Sequence, residues 1–345
     1  MIDKLTFGID IENATFKIVV INDKNNLSGT KKRRVIHMPS PEMRIIHKRL
    51  IRWIRGQKRL VPISASGSRP GDSVFKSVFI HKKTRKHSYV SNGYTHIDTI
   101  GWFPRHFFCL DIKDAFPSVS VSKMTEALLF AGLDPNDYSY NKVISILERY
   151  CFTKEDGLIV GANASPDLFN IYAEYFLDRN LRRYCHEHSL VYTRYLDDLI
   201  FSSNKTIGKR KRKSIYKFID ESGLKVNEKK TKIYDLRKGC AVINGIGVNE
   251  KGRMFIPRQY LDTLRGYMNL YLKGKIELKF NWLRGKMNPL FQCQEQSDLL
   301  PNRTEGKVFD LFEEVKVRLK FPINTSLDHD DLDDLAYENT DDLNF

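Results

Sequence analysis

LVYTRYLDDLIFS, residues 190–202, is two short β-prone runs that meet at Leu196-Asp197-Asp198. Val191, Tyr192 and Thr193 before the junction, and Leu199, Ile200 and Phe201 after it, suit a pleated, half-buried surface. The spacing predicts a tight β-hairpin with both acids at its tip. Two ionised carboxylates about 4 Å apart repel by roughly 4 kcal/mol at an effective dielectric near 20. A fold keeps such a pair beside a core only where a cation relieves it, and a divalent metal is the usual one. Asp-Asp alone is more often a solvated turn, so the reading depends on what else the chain supplies.

It supplies a third acid. FFCLDI (107–112) predicts a short apolar strand with Asp111 inside it, where an unpaired charge is costly. A buried salt bridge is the structural alternative. Phe116 follows at D-x-x-x-x-F spacing. An acid on one strand facing an acid pair on a hairpin can bracket two Mg²⁺ ions about 3.5–4 Å apart. One ion then activates a primer 3′-hydroxyl and the other holds a triphosphate and the leaving pyrophosphate. Phosphoryl transfer of this kind needs positioning and charge neutralisation more than covalent help.

Bulk composition narrows the class. The chain has 345 residues, 41% of them hydrophobic, enough for a sizeable core. No stretch is long and apolar enough to span a bilayer, and MIDKLTFGIDIENATFK lacks the basic-then-apolar layout of a signal peptide. Cys109, Cys151, Cys185, Cys240 and Cys293 form no CxxC pair, which argues against zinc or a disulfide framework and suits a reducing cytoplasm. The formal net charge is +15, yet residues 328–345 hold eight acids and no Lys or Arg. Without that tail, 57 basic residues stand against 34 acidic ones, a net of +23. Such an excess is a common footprint of nucleic-acid binding, and a solubility surface is the plainer alternative.

Around the acids, TFKIVVI (15–21) and RRVIHM (33–38) read as paired strands, and PEMRIIHKRLIRWIR (41–55) as a helix opened by its proline. SVFKSVFIHKK (73–83) reads as a further helix, and 84–105 as irregular. Helices are expected near 122–132, 139–151, 165–188 and 207–222, strands at KTKIYDL and CAVINGIGV, and mainly helix over 257–322. Beyond Leu327 the acidic, low-aromatic tail predicts disorder.

With these pieces in order, the sequence resembles the reverse transcriptases. YLDD (195–198) between apolar strands matches their Y-x-D-D signature, and LDIKDAFPSV (110–119) their first palm motif. From Arg34, KKRRVIHMP (31–39) carries the R-x-I-x-x-P pattern of the fingers, and GSRPGDSVFKSVFIH (67–81) resembles a G-x-x-x-G-x-S segment of group II intron and retron enzymes. GANASPDLFNIYA (161–173), GLKVNEKKTKI (223–233) and VINGIGVN (242–249) resemble the later palm and primer-grip motifs. The likeness covers roughly residues 15–250, and seven motifs in order are far more specific than YLDD alone.

The resemblance implies an α+β right-hand polymerase fold: fingers and palm over 1–250, a helical thumb over 251–327, and a tail over 328–345. It implies Asp111, Asp197 and Asp198 as catalytic metal ligands with the Ile112 carbonyl, for two Mg²⁺ ions that Mn²⁺ can replace. Phe116 is implied to lie under the sugar and exclude a 2′-hydroxyl, a core aromatic being its alternative. Lys32 and Arg34 are implied to clamp the phosphates, or else to decorate a solvated hairpin tip. Val160 and Gly161 are implied to border the nucleotide, with Lys230 (or its neighbour Lys229) near the pyrophosphate. Asn244 and Gly245 are implied to support the primer, or to form a plain turn. Arg258, Arg265, Lys273, Lys275, Lys279, Arg284 and Lys286, set among aromatics, suit a duplex-holding thumb or the outside of a helical core. The basic run KRKRK (209–213) suits nucleic acid or a solvated helix face.

Departures from the pattern are specific. Val160 stands where the family usually has Gln, Ser77-Val78-Phe79-Ile80-His81 keeps only the His of the retron N-A-x-x-H, and Val242-Ile243-Asn244-Gly245 is one residue longer than V-T-G. The resemblance points to divergent, defence-associated and abortive-infection relatives of the retron enzymes. It leaves no room for an RNase H domain and shows no Cys/His cluster for an HNH nuclease. The expected function is RNA-directed DNA synthesis from dNTPs, with a dedicated noncoding RNA as template, a DNA product and an antiphage role. A second protein or a further copy is a candidate partner, and no membrane is expected. The alternatives are template-independent or protein-primed synthesis on the same fold, and a catalytically idle RNA-binding scaffold.

Overall fold

The computed structural model describes residues 7–10, 12–24, 31–57, 60, 62–68, 72–91, 94–132, 140–295 and 301–320. The acidic tail at 328–345 lies outside them. The chain divides into two compact units, one formed by Met1–His81 with Arg105–Tyr234 and the other by Lys82–Pro104 with Asp235–Phe345.

In the first unit, β1 (Phe16–Lys24) and β2 (Lys31–Pro39) form an antiparallel ribbon. It leads into α1 (Pro41–Gly56), whose Ser40 side chain accepts a hydrogen bond from the Met43 amide and whose proline stands in the first turn. Both features satisfy or dispense with amides that have no partner within the helix. Met43, Ile46, Leu50 and Ile54, at helical spacing, are its buried stripe. Next comes α2 (Val74–Phe79), shorter than the sequence predicts. It stops because His81, 0% exposed, is drawn under the sheet, where its ring nitrogens meet Ser202 Oγ at 2.6 Å and Thr193 Oγ1 at 2.8 Å. A tertiary contact of that kind overrides helical propensity.

The central sheet has the order β6 (Val191–Tyr195), β7 (Asp198–Ser203), β5 (His106–Lys113), β8 (Lys225–Val226), with β9 (Lys232–Asp235) also pairing β5. Phe108, Leu110 and Ile112 on one face of β5, with Leu199 and Phe201 from β7, enter the main core. Burying each such side chain contributes about 1.5–3 kcal/mol. That fixes the strand register, since a slip of one residue would turn Asp111 into the core. Against this face pack α3 (Val121–Phe130), α4 (Tyr140–Tyr150) and a long helical rod: α5 (Ser165–Ala173), a π turn over Glu174–Asp178, and α6 (Arg179–Glu187). The basic helix α7 (Lys209–Glu221) buries Ile215 and Ile219.

The second unit contains the stretch that sequence reading left irregular. A ribbon of β3 (Lys83–Ser91) and β4 (Tyr94–Trp102) is paired in unbroken register from Lys83↔Trp102 to Ser91↔Tyr94. Lys83, Thr84, Arg85 and Lys86 are successive and all exposed, so β3 shows no apolar alternation to reveal it. A small sheet of β10 (Ala241–Ile243), β11 (Ile246–Val248) and β12 (Met254–Phe255) adjoins it. Gly252, at φ +80°, lies so close to Gly101 that an added Cβ would fall 2.3 Å from its carbonyl oxygen. Only glycine fits there. Helices α8 (Arg258–Leu272), α9 (Phe280–Glu295) and α10 (Arg303–Lys320) complete the unit around Leu264, Met268, Leu283, Met287, Val308 and Val315. Among the described residues no helix is long and apolar enough to cross a membrane.

Candidate active site

The predicted hairpin forms, with β6 and β7 joined through Leu196 and Asp197. Leu196 takes φ +52°, the left-handed conformation that a two-residue hairpin corner requires. Asp198 lies opposite Asp111 across β7 and β5. Next to this pair the Ile112 amide donates to the Asp197 carbonyl at 2.9 Å, which makes Asp111–Asp198 a non-hydrogen-bonded pair. Side chains in such pairs approach most closely. The amide and carbonyl of one residue leave a strand on the same side, so the Ile112 carbonyl also points to the hairpin. All three predicted carboxylates therefore gather at one end of the sheet.

This gathering has an electrostatic cost, and it shows at Asp198. Burial, then the charges of Asp197 and Asp111, push its carboxyl up to about 7, and Lys230 and Lys232 oppose the rise. Asp111 is 7% exposed and is answered on both oxygens. Lys230 Nζ donates to Oδ1 at 2.6 Å and Asn227 Nδ2 to Oδ2 at 3.1 Å, while the Asn227 amide donates to the Asp111 carbonyl at 2.8 Å. Of the two candidate lysines it is Lys230 that reaches the acids. Among the described residues no group of three or more His, Cys, Asp or Glu side chains is closed around a metal-sized position. The donor chemistry nonetheless fits a hard divalent cation: three carboxylates and a backbone carbonyl, one acid destabilised by its like-charged neighbours.

Phe116 follows β5 in the turn over 114–118, half-buried, with its ring 5.5 Å from that of Phe169. The Val160 carbonyl accepts from the His37 amide at 2.8 Å, which ties this segment to β2. Gly161, at φ +99°, approaches β2 so closely that a Cβ would stand 2.5 Å from Ile36 Cγ2. The side chains of Lys32 and Arg34 lie outside the described residues. Asn244 and Gly245 form the β10–β11 turn at φ +48° and +78°, in the second unit. Such a turn suits Asn-Gly.

Sequence reasoning missed Asn227 and also Arg194 and Asp178, which form a fully buried ion pair at 2.7 Å behind the hairpin. Each charge is visible alone, an arginine in a β-prone run next to YLDD and an aspartate in a helical stretch, but their pairing is not.

The family model for reverse transcriptases, RNA-dependent DNA polymerases, matches residues 21–251. The chain belongs to the reverse transcriptase family. Its mixed helix and sheet content is that of the right-hand polymerase fold, and the protein is an RNA-directed DNA polymerase, a nucleotidyltransferase. It is similar to the retron Ec86 reverse transcriptase of Escherichia coli, 28% identical over 259 residues, which cover 73% of this chain and 71% of that protein. The retron Mx65 reverse transcriptase of Myxococcus xanthus is 27% identical over 231 residues, 63% of this chain but only 48% of that protein, so the chain spans about half of that relative. A solved telomerase from Candida albicans aligns with a TM-score of 0.48 at 11% identity, over 89% of this reverse transcriptase and 56% of that chain. Polymerases of this fold generally use divalent metals such as Mg²⁺.

Proposed function

We propose that Asp111, Asp197 and Asp198, with the Ile112 carbonyl, hold two Mg²⁺ ions (or Mn²⁺) and that the enzyme adds dNTPs to a primer 3′-hydroxyl. The supporting observation is the Asp111–Asp198 cross-strand pair, with Asp198 raised to about 7 first by burial and then by the charges of Asp197 and Asp111. When bound, the metals supply charge neutralisation for the hydroxyl and the triphosphate. The chain's own residues do the rest. β5 and the hairpin fix the carboxylates, and Phe116, backed by Phe169, walls the sugar side. Lys230 leaves Asp111 for the pyrophosphate, and β2 brings Lys32 and Arg34 toward the triphosphate alongside Val160 and Gly161. Asn244 and Gly245 support the primer. In this reading 1–250 are fingers and palm, 251–327 the thumb, and 328–345 an accessory tail.

The similarity to retron enzymes supports a dedicated noncoding RNA as template, DNA as product, an antiphage role and a cytoplasmic setting. Val160, which offers the nucleotide no polar side chain, favours a second reading on the same fold: synthesis without a nucleic-acid template or from a protein primer. Sequencing the nucleic acids that copurify with the protein separates the two. One abundant RNA together with its complementary DNA supports the first reading. DNA that matches no RNA, or that stays attached to protein, supports the second. Bulk cellular RNA with no DNA product would count against both.

A further inference from the structure

Among the described residues Arg194 is the largest of the fully buried side chains, at 0% exposure one position before the YLDD segment. An apolar side chain would fill that space at less desolvation cost. The geometry shows what an apolar residue could not do. Asp178, also 0% exposed, takes Nε at 3.0 and 3.1 Å and a terminal nitrogen at 2.7 Å, and it accepts the Tyr192 hydroxyl at 2.6 Å. The other terminal nitrogen leaves the carboxylate and divides its donors. One bond goes to Asn170 Oδ1 at 2.8 Å and one to the Leu196 carbonyl at 3.0 Å.

Leu196 is the hairpin corner, and its carbonyl belongs to the peptide that begins Asp197. Its other side is closed by Gly67, where an added Cβ would meet Leu196 Cγ at 3.0 Å. Asn170 ties the two sides together, since its Nδ2 donates to the Gly67 carbonyl at 2.7 Å. The Ser66 amide also donates to the Arg194 carbonyl at 2.8 Å, and the Arg194 amide to the Ser64 carbonyl at 3.2 Å. The guanidinium lies over Phe169, 5.5 Å from its ring centre, and Phe169 is the ring behind Phe116.

We propose that Arg194, anchored by Asp178 and Asn170, is a positioning residue. It fixes the Leu196 peptide and so sets where Asp197 and Asp198 present their carboxylates. The inference rests on the metal reading above, and residues that orient metal ligands typically change metal affinity or activity by about 10–100-fold when lost.

Arg194→Lys tests it, because a lysine keeps a cation opposite Asp178 but cannot span carboxylate, Asn170 and Leu196 from one ammonium. The expected variant unfolds cooperatively, yet its 194–199 amides exchange hydrogen faster than in the parent. Mn²⁺ binding, measured by the loss of the free-ion electron paramagnetic signal, weakens about 10–100-fold. Turnover falls while KM for dNTP changes little. Parent-like exchange and parent-like Mn²⁺ affinity in a folded Arg194→Lys protein would overturn the proposal. Should that variant fail to fold, Asn170→Ala decides in its place, because it removes one partner of the guanidinium and leaves the ion pair. Faster exchange over 194–199 supports the grip, and unchanged exchange overturns it. Parent protein whose Mn²⁺ binding is insensitive to loss of Asp197 and Asp198 would fault the metal reading instead, and the exchange comparison would still judge the grip by itself.

Discussion

Lys230 Nζ lies 2.6 Å from Asp111 Oδ1, so the acid carried into the site by β5 is met by a cation from the segment just before β9. Removing that lysine separates two roles. Lys230→Ala is expected to bind Mn²⁺ as tightly as the parent or tighter, since a competing cation is gone, while single-turnover dNTP incorporation slows. Titration with Mn²⁺ and rapid-quench kinetics on the same variant check both halves. Weaker Mn²⁺ binding would mean that Lys230 organises the carboxylates rather than attending the leaving group.

Asp198 gives a pH prediction whose sign is fixed. Its folded carboxyl is raised to about 7 by burial and by Asp197 and Asp111, against an unfolded value of about 4. The folded protein therefore holds the extra proton across that window, and its stability with metal chelated should fall as pH rises from about 4 to about 7. Asp198→Asn removes the penalty. In EDTA its melting temperature should exceed the parent's at pH 8, with the difference shrinking toward pH 4. Equal melting temperatures at pH 8 would show that the acids are better solvated than their placement implies.

Phe116→Ala should raise ribonucleotide use relative to deoxynucleotide use, through loss of a steric wall beside Phe169 and not through loss of metal. Competition between rNTP and dNTP in primer extension measures it. Unchanged discrimination would leave Phe116 as core packing.

Without its last 18 residues the chain carries 57 basic against 34 acidic side chains, so RNA binding should depend steeply on salt. If six to ten phosphates are contacted, affinity for a duplex-like partner should fall about 10³–10⁵-fold between 50 and 200 mM salt. A flat response in a filter-binding titration would place the binding elsewhere than on this charge.

The sequence made the hairpin legible because Val191–Thr193 and Leu199–Phe201 flank the acids with β-prone residues, and one periodicity suffices to see it. The apolar run around Asp111 revealed β5 in the same way. Ribbon β3–β4 was hidden because Lys83–Lys86 places four polar residues on successive positions, so no apolar alternation announces the strand. The Arg194–Asp178 pair was hidden for another reason. A buried ion pair between residues 16 apart needs a known fold before either charge has a partner. Lys229 and Lys230 were indistinguishable by spacing, and the short 3₁₀ turn over Glu228–Lys230 is what brings the second of them to Asp111.

The most direct test is Mg²⁺-dependent dNTP incorporation on a primed RNA template by an Asp197→Ala, Asp198→Ala double variant, run beside the parent with RNA binding and thermal unfolding as controls. The account predicts that incorporation is abolished, while RNA affinity and cooperative unfolding are kept. Near-parental DNA synthesis by the double variant would contradict it, because Asp111 alone would then remain of the three carboxylates proposed to hold the metals.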